Sequence, residues 1–461
     1  MRNPSQILRL PLILPDDAEF VRGDWGLISA ARFRAHSASL ASQLSARGEI
    51  VNLCEDRYHF LVAFAAALQC GKTTLLPPAS SPAAIAELMA GYPDCETADD
   101  AFVASAASAT PVDPVPPPAD LVAAIGHTSG STGKPVAHAK TWAGFCATTA
   151  LNARSIREAI GDESAGPAPW MVATVPPQHM YGLETSVLLP LIAGFGLHSG
   201  RPLLPADVAA ALRDTPGPRV LVSTPVHLRA LVESGADFPD VAVVVSATAP
   251  LRPDVARHVE ERLGATLVEM FGSTETCVIA TRRTATQKHW RPYPGIQLEP
   301  TGSATIVRAP WLPRAELLQD ILSLREDGSF TVIGRHSDVV EVAGKRASLA
   351  DLTRRIASLP GVRDAHVFRP LAENPAGVPR CAALVVAPGL SAREILRSLR
   401  HEMDAAFLPR PLVVVAELPR NEVGKLPMAR VQEMLAGASR RGSQPRTDRA
   451  ITAASRPRRG K

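Results

Sequence analysis

Residues 128–135 have the sequence Thr128-Ser129-Gly130-Ser131-Thr132-Gly133-Lys134-Pro135. Glycine lets the backbone turn sharply and approach a ligand, while hydroxyls, free N–H groups and a lysine charge suit phosphate oxygens. The apolar run at residues 121–125 precedes this segment and is typical of a buried strand. Because α/β proteins bind ligands at the carboxyl ends of their strands, the segment predicts a phosphate-binding loop in an α/β fold.

The spacing of this loop excludes a Walker A motif. That motif places four residues between its first glycine and the Gly-Lys pair, whereas Gly130 lies three positions before Gly133. Pro135 also stands where a Ser or Thr would hold magnesium. The loop therefore indicates a different phosphate chemistry, and as an isolated match its alternative is a surface turn.

Four further segments follow the loop along the chain. They are Pro176-Pro177-Gln178-His179-Met180-Tyr181-Gly182, Glu269-Met270-Phe271-Gly272-Ser273-Thr274-Glu275, Gly334-Arg335-His336-Ser337-Asp338 with Gly344-Lys345-Arg346, and Pro419-Arg420-Asn421-Glu422-Val423-Gly424-Lys425. In this order, the five segments resemble the motifs of the adenylate-forming superfamily, which includes acyl-CoA synthetases, luciferases and nonribosomal-peptide adenylation domains. The resemblance covers roughly residues 20–435. It departs from the family pattern at Phe271, where a tyrosine is usual, and at Ser337 in the hinge.

The resemblance implies an α/β protein with two domains. We expect a large N-terminal domain of several α/β layers with mostly parallel sheets at residues 1–334, a hinge at 335–338, and a small mobile α+β domain at 339–435. The length agrees, because 461 residues exceed one ordinary domain and 46% hydrophobic residues can form a large core. Apolar runs predict strands that alternate with helices, at residues 50–54, 74–76, 171–175, 220–223, 241–245 and 266–268. Helical periodicity predicts a helix at residues 31–47, and the small domain has a predicted strand at 382–386.

The segment at residues 436–461 is strongly basic. It has seven Arg and one Lys against one Asp, in a chain whose net charge is +4. Few large apolar residues occur here, so we expect a disordered tail. The tail is either a solvated extension or a contact for nucleic acid, an acidic carrier protein or anionic lipid. Specific nucleic-acid binding is not expected, because aromatic residues make up 5% of the chain and no basic stripe interleaves with them.

The cysteines and the hydropathy indicate a cytoplasmic protein. The six cysteines form no C-x-x-C pair and show no metal-ligand spacing, which favours reduced thiols. No apolar run reaches the 18 residues of a membrane span, and prolines interrupt the apolar stretch at the N-terminus. We therefore expect neither a membrane span nor a secretion signal.

The reaction that the resemblance implies joins a carboxylic acid to ATP. One anion attacks the α-phosphate of another, so the site neutralises charge and holds both partners in line. In this family pattern Thr274 donates to the α-phosphate and Glu275 holds Mg²⁺; the alternative for Glu275 is a carboxylate on a surface turn. The residues of the loop that bind the nucleotide would be Thr128, Ser129, Gly130, Ser131, Thr132, Gly133 and Lys134.

The rest of the nucleotide site is also assigned by resemblance. Residues 246–251 are similar to the family loop against adenine but contain no glycine, and Thr248, Ala249 and Pro250 would contact the base. Asp320 would accept hydrogen bonds from both ribose hydroxyls. Arg335 would add a second ribose contact; its alternative is an exposed, salt-bridging arginine. The turn residues that complete the nucleotide site are Phe271, Gly272 and Ser273.

Three more residues take roles from the resemblance. Lys425 would be the catalytic lysine of adenylation, since a compact ammonium group suits the attacking carboxylate and the α-phosphate. Arg346 would face phosphate in one arrangement of the small domain. His179 would lie near the acid and orient it, or serve as a structural residue. Rotation of the small domain would exchange Lys425 for a thiol site, with kinetics that Ser337 alters.

The acceptor thiol is left open by the sequence. It would belong to the phosphopantetheine of coenzyme A or of a separate acyl carrier protein, since no carrier domain follows Lys425. The continuation at residues 134–142 resembles the ligases of bacterial aryl-polyene and xanthomonadin pigment clusters, which activate an aryl acid for a carrier protein. Aryl and fatty acids are therefore both candidate substrates. The alternative function is a non-catalytic, regulatory member of the fold. This alternative is disfavoured by the presence of Glu275, Asp320, Arg335 and Lys425.

Overall fold

The computed structural model describes most of the chain. The described residues are 14–46, 48–77, 81–106, 116–129, 135–161, 167–301, 304–335, 339–342, 345–371, 380–421, 424 and 426–442. For some of these residues, including Thr128, Ser129, Arg335 and Arg346, the backbone alone is described. Residues 130–134 of the predicted phosphate loop, residues 336–338 of the predicted hinge, and Lys425 lie outside the described residues.

The chain divides into two compact units between residues 336 and 337, with Gly424 grouped in the first unit. The elements of the first unit up to residue 160 are β1 (Glu19–Gly23), β2 (Gly26–Ser29), α1 (Ala30–Ala41), β3 (Ile50–Asn52), α2 (Arg57–Gln69), β4 (Thr74–Leu76), α3 (Pro82–Ala90), β5 (Glu96–Ala98), α4 (Asp100–Ser105), β6 (Val122–Ser129), β7 (Pro135–Thr141) and α5 (Trp142–Ile160). Helix α5 begins at the N-cap Thr141, whose side chain accepts from the N–H of Gly144, and ends at Gly161 with φ 83°.

The first sheet carries the predicted phosphate loop. Its strand order is β5-β3-β4-β6-β7, parallel except for the antiparallel pair of β6 and β7. The sequence predicted a strand that ends at Ile125 and a loop that begins at Thr128. Instead β6 continues to Ser129, which pairs with Pro135, because the returning strand β7 supplies hydrogen-bond partners that one sequence segment does not reveal.

The second sheet of the first unit is larger and mostly parallel. Its elements are β8 (Trp170–Ala173), α6 (Met180–Leu183), a π-helical segment (Glu184–Leu188), α7 (Leu189–Ala193), β9 (Gly196–His198), α8 (Pro205–Asp214), β10 (Arg219–Ser223), α9 (Pro225–Glu233), β11 (Val243–Ser246), α10 (Pro253–Leu263), β12 (Thr266–Ser273), β13 (Cys277–Arg282) and β14 (Arg291–Pro292). Among the described residues, the strand order is β14-β13-β12-β11-β10-β8-β9-β1-β2. The pairs from β12 to β1 are parallel, and both edges are antiparallel.

Both faces of the larger sheet are covered. In β10 and β11, Val222 and Val243 pack into one hydrophobic cluster, whereas their neighbours Leu221 and Val244 pack into another. Adjacent side chains of a strand point to opposite faces, so each strand contributes to two layers. Each of these side chains is fully buried, which stabilises the fold by about 1.5–3 kcal/mol per residue. This agrees with the α/β architecture of several layers and mostly parallel sheets that the sequence predicted.

Smaller antiparallel sheets complete the first unit. Strands β15 (Gln297–Thr301), β16 (Ala304–Arg308) and β17 (Glu316–Leu318) form one sheet, and β18 (Asp320–Leu324) and β19 (Phe330–Arg335) form another. Phe330 and Trp290 pack together in a separate cluster, with Phe271 against both rings. The end of β12, which carries Phe271, therefore rests on its own aromatic core.

The second unit has the α+β composition that the sequence predicted. Its elements are β20 (Val339–Val342), β21 (Lys345–Ser348), α11 (Leu349–Ala357), β22 (Asp364–Phe368), β23 (Ala382–Val386), α12 (Ala392–Glu402), a 3₁₀ turn (Ala405–Phe407), β24 (Leu412–Val414) and α13 (Met428–Gly442). Strands β22, β23 and β24 form a mixed sheet, and β20 pairs with β21. Helix α12 begins with a capping box between Ser391 and Glu394.

One boundary of the predicted tail is wrong. Helix α13 continues to Gly442, so residues 436–442 are helical and not part of a disordered tail. Val431 and Leu435 anchor this helix in a hydrophobic cluster, and the Ala and Arg residues that follow favour its continuation. The remaining part of the predicted tail, residues 443–461, lies outside the described residues.

Candidate active site

The carboxyl ends of β8, β10, β11 and β12 lie along one edge of the larger sheet, because these strands are parallel. The segments that follow them include residues 176–182, the loop 246–251 and the turn that contains Thr274 and Glu275. Ligands of open α/β sheets bind at this edge. The topology therefore brings three of the sequence motifs to the edge where a nucleotide site is expected.

The strand that leads to the phosphate loop reaches the same place. A Cβ atom on Gly126 of β6 would lie 2.7 Å from Cγ2 of Thr274 and 3.2 Å from Cε of Met180. Glycine is needed here, because real Cβ atoms do not approach other atoms so closely. Gly126 thus marks the point at which the loop strand, the Thr274 turn and the segment of His179 meet.

The Thr274 turn joins β12 to β13 with a bulge. The register shifts between Phe271 and Gly272, and a Cβ atom on Gly272 would lie 2.2 Å from the carbonyl oxygen of Cys277. The backbone N–H of Ser273 donates to Oγ1 of Thr276 at 3.3 Å. Cys277 has φ 61°, a left-handed conformation that is uncommon for residues other than glycine. These constraints hold Thr274 at the tip of a tightly closed hairpin.

The electrostatics of Glu275 favour an ionised carboxylate. Burial would raise its pKa, but a hydrogen bond from Ser273, its own backbone N–H, and the nearby His138 and Lys140 outweigh burial and hold the pKa below its usual value. Nε2 of His138 lies 3.8 Å from Oε1 of Glu275. Burial lowers the pKa of His138, although Glu275 opposes this effect. The site therefore keeps a negative charge beside a partly buried imidazole.

Strand β7 contributes two site residues that the sequence did not predict. His138 pairs in register with Gly126, and Lys140, two positions further along the same face, donates from Nζ to the carbonyl oxygen of Glu275. Lys140 is buried. The signal in the sequence was two polar residues two positions apart in an otherwise small-residue segment, but it becomes meaningful only when β7 is known to return beside β6.

The His179 segment is held against the strand ends. A Cβ atom on Gly182 would lie 2.0 Å from the carbonyl oxygen of Pro176, so the segment depends on a glycine at this position. The hydroxyl of Tyr181 lies 3.1 Å from the carbonyl oxygen of Ser223 and 3.0 Å from that of Val245, at the ends of β10 and β11. His179 is half-buried and is the N-cap residue of α6.

The predicted adenine loop lacks glycine, and one residue takes the conformation that glycine would adopt. Thr248 has φ 78° and is exposed. The N–H of Leu251 donates to Oε1 of Glu269 at 3.2 Å. Glu269 is buried and also accepts from Nε of Arg282 at 2.8 Å. This carboxylate links the loop to β12 and β13.

The two predicted ribose residues are backbone register partners in one antiparallel strand pair. Asp320 in β18 is the register partner of Arg335 in β19. Direct partners in an antiparallel pair have Cβ atoms about 4.5–5.5 Å apart.

Phe271 lies 5.3 Å from the ring of Trp290 and 5.5 Å from that of Phe330, measured between ring centroids, so an aromatic residue at this position packs well without a hydroxyl.

Of the remaining predicted site residues, Thr128, Ser129 and Arg346 are described by their backbone. The backbones of Thr128 and Ser129 belong to β6, and Arg346 in β21 of the second unit pairs in register with Glu341. Arg420, from the same motif as Lys425, forms two hydrogen bonds with the Asp364 carboxylate, at 2.9 and 3.0 Å. This arginine therefore has a structural role within the second unit.

A small recess of about 10 Å³ beside the Thr274 turn is lined by residues that include Lys140, Cys277 and Trp311. A recess of about 290 Å³ in the second unit is lined by Arg354, Arg355, Ser358, Leu359 and Pro360, none of which the sequence motifs include. Within the described part of the chain, no group of three or more His, Cys, Asp or Glu residues is placed to hold a metal ion. No helix within the described ranges is long and apolar enough to cross a membrane.

Comparison with known proteins decides the family. Residues 82–305 match the family model described as AMP-binding enzyme. A 4-coumarate–CoA ligase of Rhodobacter capsulatus is 30% identical over 305 residues, which are 66% of this chain and 74% of that protein. The chain belongs to the AMP-binding enzyme family. A second 4-coumarate–CoA ligase, of Halorhodospira halophila, is 28% identical to this AMP-binding enzyme over 65% of the chain and 73% of its own length.

A solved structure supports the fold of this AMP-binding enzyme. The ATP-bound MatB of Rhodopseudomonas palustris superimposes with a TM-score of 0.75 at 18% identity, over 92% of this chain and 97% of that one. At this identity the likeness concerns the fold. The adenylate-forming resemblance is thus confirmed, and this AMP-binding enzyme is an acid–thiol ligase that activates a carboxylic acid with ATP and forms a thioester.

Proposed function

We propose that this ligase activates an aryl carboxylic acid and transfers it to the phosphopantetheine thiol of coenzyme A or of a separate acyl carrier protein. The meeting of β6, the Thr274 turn and the His179 segment at Gly126 carries the proposal, because adenylation needs the phosphate loop, the α-phosphate donor and the acid in one place. Two relatives named 4-coumarate–CoA ligase favour an aryl acid, as does the resemblance of residues 134–142 to aryl-polyene ligases. Fatty acids remain the competing substrate class.

In this proposal the first step is attack of the acid carboxylate on the α-phosphate of ATP. The new bond joins a carboxylate oxygen to the α-phosphorus, and the bond to the β-phosphate breaks as pyrophosphate leaves. The hydroxyl of Thr274 donates to an α-phosphate oxygen, and Ser129, Ser131, Thr132 and Lys134 donate to the β- and γ-phosphates. Donors that are already in position stabilise the charge that develops in the transition state.

Glu275 suits a magnesium ion that the nucleotide shares. Mg²⁺ usually binds one or two carboxylates together with substrate phosphates and water, so a single ionised carboxylate at the edge of the sheet fits this ion better than a site made of protein ligands alone. The low pKa of Glu275 agrees with a carboxylate that stays charged. Bound there, Mg²⁺ would offset negative charge on the phosphate oxygens.

The other assignments also belong to this proposal. Lys425 stabilises the attacking carboxylate and the α-phosphate oxygens, and His179 orients the acid. Asp320 and Arg335 hold the ribose, which their direct register in β18 and β19 supports. Thr248, Ala249 and Pro250 lie against adenine, and Phe271, Gly272 and Ser273 shape the wall that leads to the α-phosphate. Arg346 faces phosphate in one arrangement of the small domain.

The second step transfers the acyl group from AMP to the thiol. The thiolate sulfur forms a bond to the acyl carbon, and AMP leaves with the electrons of the acyl–oxygen bond. Relatives named CoA ligases favour coenzyme A as the acceptor, whereas the aryl-polyene resemblance favours a carrier protein. The two acceptors share the phosphopantetheine arm and differ in what surrounds it, so one assay that offers both will separate them.

The decisive experiment is ATP–pyrophosphate exchange with a panel of aryl, medium-chain and long-chain acids. We expect exchange with one class, the aryl acids, and a loss of at least about 100-fold in Lys425→Ala and in Glu275→Gln. Lys288→Ala, which removes an exposed lysine of the first unit, is the matched control and should retain activity. Product analysis with coenzyme A and with a phosphopantetheinylated carrier then identifies the acceptor.

Three results would overturn parts of this proposal. Exchange with fatty acids alone would replace the substrate class and keep the mechanism. No exchange with any acid, from folded protein, would favour the non-catalytic alternative, in which the nucleotide site binds without reaction. Equal activity of Lys425→Ala and the wild type would remove the catalytic role of that lysine.

A further inference from the structure

The Thr274 turn needs support from outside its own hairpin. Its last residue, Cys277, is held at φ 61°, and the bulge at Gly272 interrupts the regular ladder of β12 and β13. A residue other than glycine is strained in this region of φ, and such a conformation persists when its surroundings impose it. The elements that impose it are therefore part of the site.

Three side chains from distant elements hold this turn. Lys140 of β7 donates to the carbonyl oxygen of Glu275, and Nε1 of Trp311 donates to that of Thr276 at 3.0 Å. Oε2 of Glu184 accepts from the N–H of Val278 at 3.2 Å. The first two bind carbonyl groups within the turn, and the third binds the first N–H after the strained Cys277.

Glu184 lies just after the His179 motif, which we assign to the acid, and contacts the strand that follows the Thr274 turn. It is the first residue of the π-helical segment and lies two positions after Gly182 of the His179 motif. Its side chain also faces Asn152 of α5, whose Oδ1 accepts from the hydroxyl of Tyr293 at 2.9 Å. π-Helical segments often occur at functional sites. Residues 179–184 thus carry both the predicted acid-orienting residue, His179, and the carboxylate of Glu184, which accepts a hydrogen bond beside the Thr274 turn.

A carboxylate at this depth is a costly choice for stability alone. Glu184 is fully buried, and burial raises its pKa to about 7, although the N–H of Val278, the charge of Lys140 and the amide of Asn152 oppose the rise. An apolar side chain would avoid this desolvation. A buried ionisable group beside the site is more readily explained by a function than by packing.

We infer that Glu184 is a positioning residue for adenylation, which holds the N–H of Val278 and thereby places Thr274 against the α-phosphate and couples the turn to the His179 segment. This inference rests on the proposed function of Thr274. Without Glu184 the turn relaxes, and a displacement of about 1 Å at a reacting group costs on the order of 100-fold in rate. We expect the effect to fall on kcat, because Glu184 acts through the position of the Thr274 turn, whose donor is assigned to the transition state.

The test combines exchange kinetics with hydrogen exchange of the Val278 amide, followed by mass spectrometry of a peptide that spans it. We expect Glu184→Ala to lower kcat of ATP–pyrophosphate exchange by about 30–100-fold, with the KM for the acid within about threefold. The Val278 peptide should exchange faster without any ligand present. Glu184→Gln keeps an acceptor of equal reach and should recover most of the lost kcat.

The matched control is Thr185→Val. Thr185 is equally buried, belongs to the same segment and donates to the carbonyl oxygen of Tyr181, so this change removes a buried hydrogen bond without touching the turn. It should lower the thermal midpoint but leave kcat and the Val278 peptide unchanged. A folded Glu184→Ala with kcat within twofold of wild type, or an equal loss in Thr185→Val, overturns the inference.

A second pair of variants applies if Glu184→Ala does not fold. Glu184→Asp keeps the charge but is shorter by one methylene group, whereas Glu184→Gln keeps the reach and loses the charge. Higher kcat in the Gln variant than in the Asp variant supports the inference, and equal or lower kcat overturns it. If the wild type exchanges with no acid, the proposed function fails, while protection of the Val278 amide still tests the contact with Glu184.

Discussion

The Thr274 turn, residues 272–277, and the predicted adenine loop, residues 246–251, follow neighbouring parallel strands and are held in different ways. Among the described residues, Cys277 of the turn and Thr248 of the loop are the non-glycine residues with positive φ. Cys277 is buried and its turn is bound by side chains from three distant parts of the chain, whereas Thr248 is exposed and its loop is joined to Glu269 at Leu251. The Thr274 turn, which we assign to the chemical step, is thus held by more side-chain contacts than the loop that we assign to adenine binding.

The largest effect should come from breaking the turn at its bulge. Gly272→Ala places a Cβ atom 2.2 Å from the carbonyl oxygen of Cys277, so the hairpin must shift and displace Thr274. We expect kcat of exchange to fall by about 100-fold or more. Gly235→Ala is the control, because no atom lies within 4 Å of its added Cβ. Comparable kcat in the two variants would show that the turn tolerates displacement.

The next largest effect is on stability, and it concerns the buried carboxyl group of Glu184 beside the Thr274 turn. The folded-state pKa of Glu184, about 7, lies above its ordinary value of 4.5, so the stability that its protonated form contributes is fully present below pH 4.5 and is lost as the pH rises through about 7. Glu184→Gln cannot ionise. Its free energy of unfolding relative to wild type should therefore rise by about 3 kcal/mol between pH 4.5 and pH 8, measured by urea unfolding. A difference that does not change with pH would mean that Glu184 does not titrate in this range.

A change that loosens the predicted adenine loop should raise the KM for ATP, whereas a change in the Thr274 turn should lower kcat. Glu269→Gln removes the charge that pairs with Arg282 and loosens the contact to the N–H of Leu251. We expect the KM for ATP to rise about tenfold with kcat changed less than threefold, since ground-state and transition-state binding weaken together. Steady-state exchange at varied ATP measures both. A loss confined to kcat would assign Glu269 to the turn and not to the loop.

The smallest effect should be a gain in stability, at Thr248 of the predicted adenine loop. Thr248→Gly relieves a left-handed conformation at an exposed position and should stabilise the protein by about 0.5 kcal/mol, with little change in kcat. Ala249→Gly, one residue further along the same loop and without positive φ, should destabilise by about 0.5–1 kcal/mol. Thermal unfolding of the two variants beside wild type checks this. Destabilisation by Thr248→Gly would indicate that the threonine side chain itself stabilises the loop.

The sequence predicted the parts of the fold that local patterns determine. Strands at residues 74–76 and 382–386 agree with β4 and β23 at both ends, because short apolar runs between turns indicate buried strands. The helix predicted at residues 31–47 ends at Ala41, since Ser42 already serves as its C-cap. Helix α13 extends beyond its expected end for the opposite reason, as tertiary contacts of Val431 and Leu435 support residues whose composition suggested disorder.

The sequence could not predict the supports of the candidate site. Lys140 and Glu275 are 135 residues apart, and Glu184 and Val278 are 94 residues apart, so neither contact follows from a local pattern. The return of β7 beside β6 decides which face His138 and Lys140 share. The motif residues at the strand ends were predictable because each motif is contiguous, whereas the side chains that hold them come from elements with ordinary sequences.

The division of β10 and β11 between two hydrophobic clusters has a consequence for double mutants. Leu221 and Val222 are covalent neighbours, yet each loses contact with a different set of side chains when it is truncated. Cavities on opposite sides of a sheet do not merge, so the destabilisations caused by Leu221→Ala and Val222→Ala should simply add. Val220 and Val222 share a face and should show an interaction energy instead. Additivity along this strand therefore alternates with a period of two, and it reports which layer each residue supports.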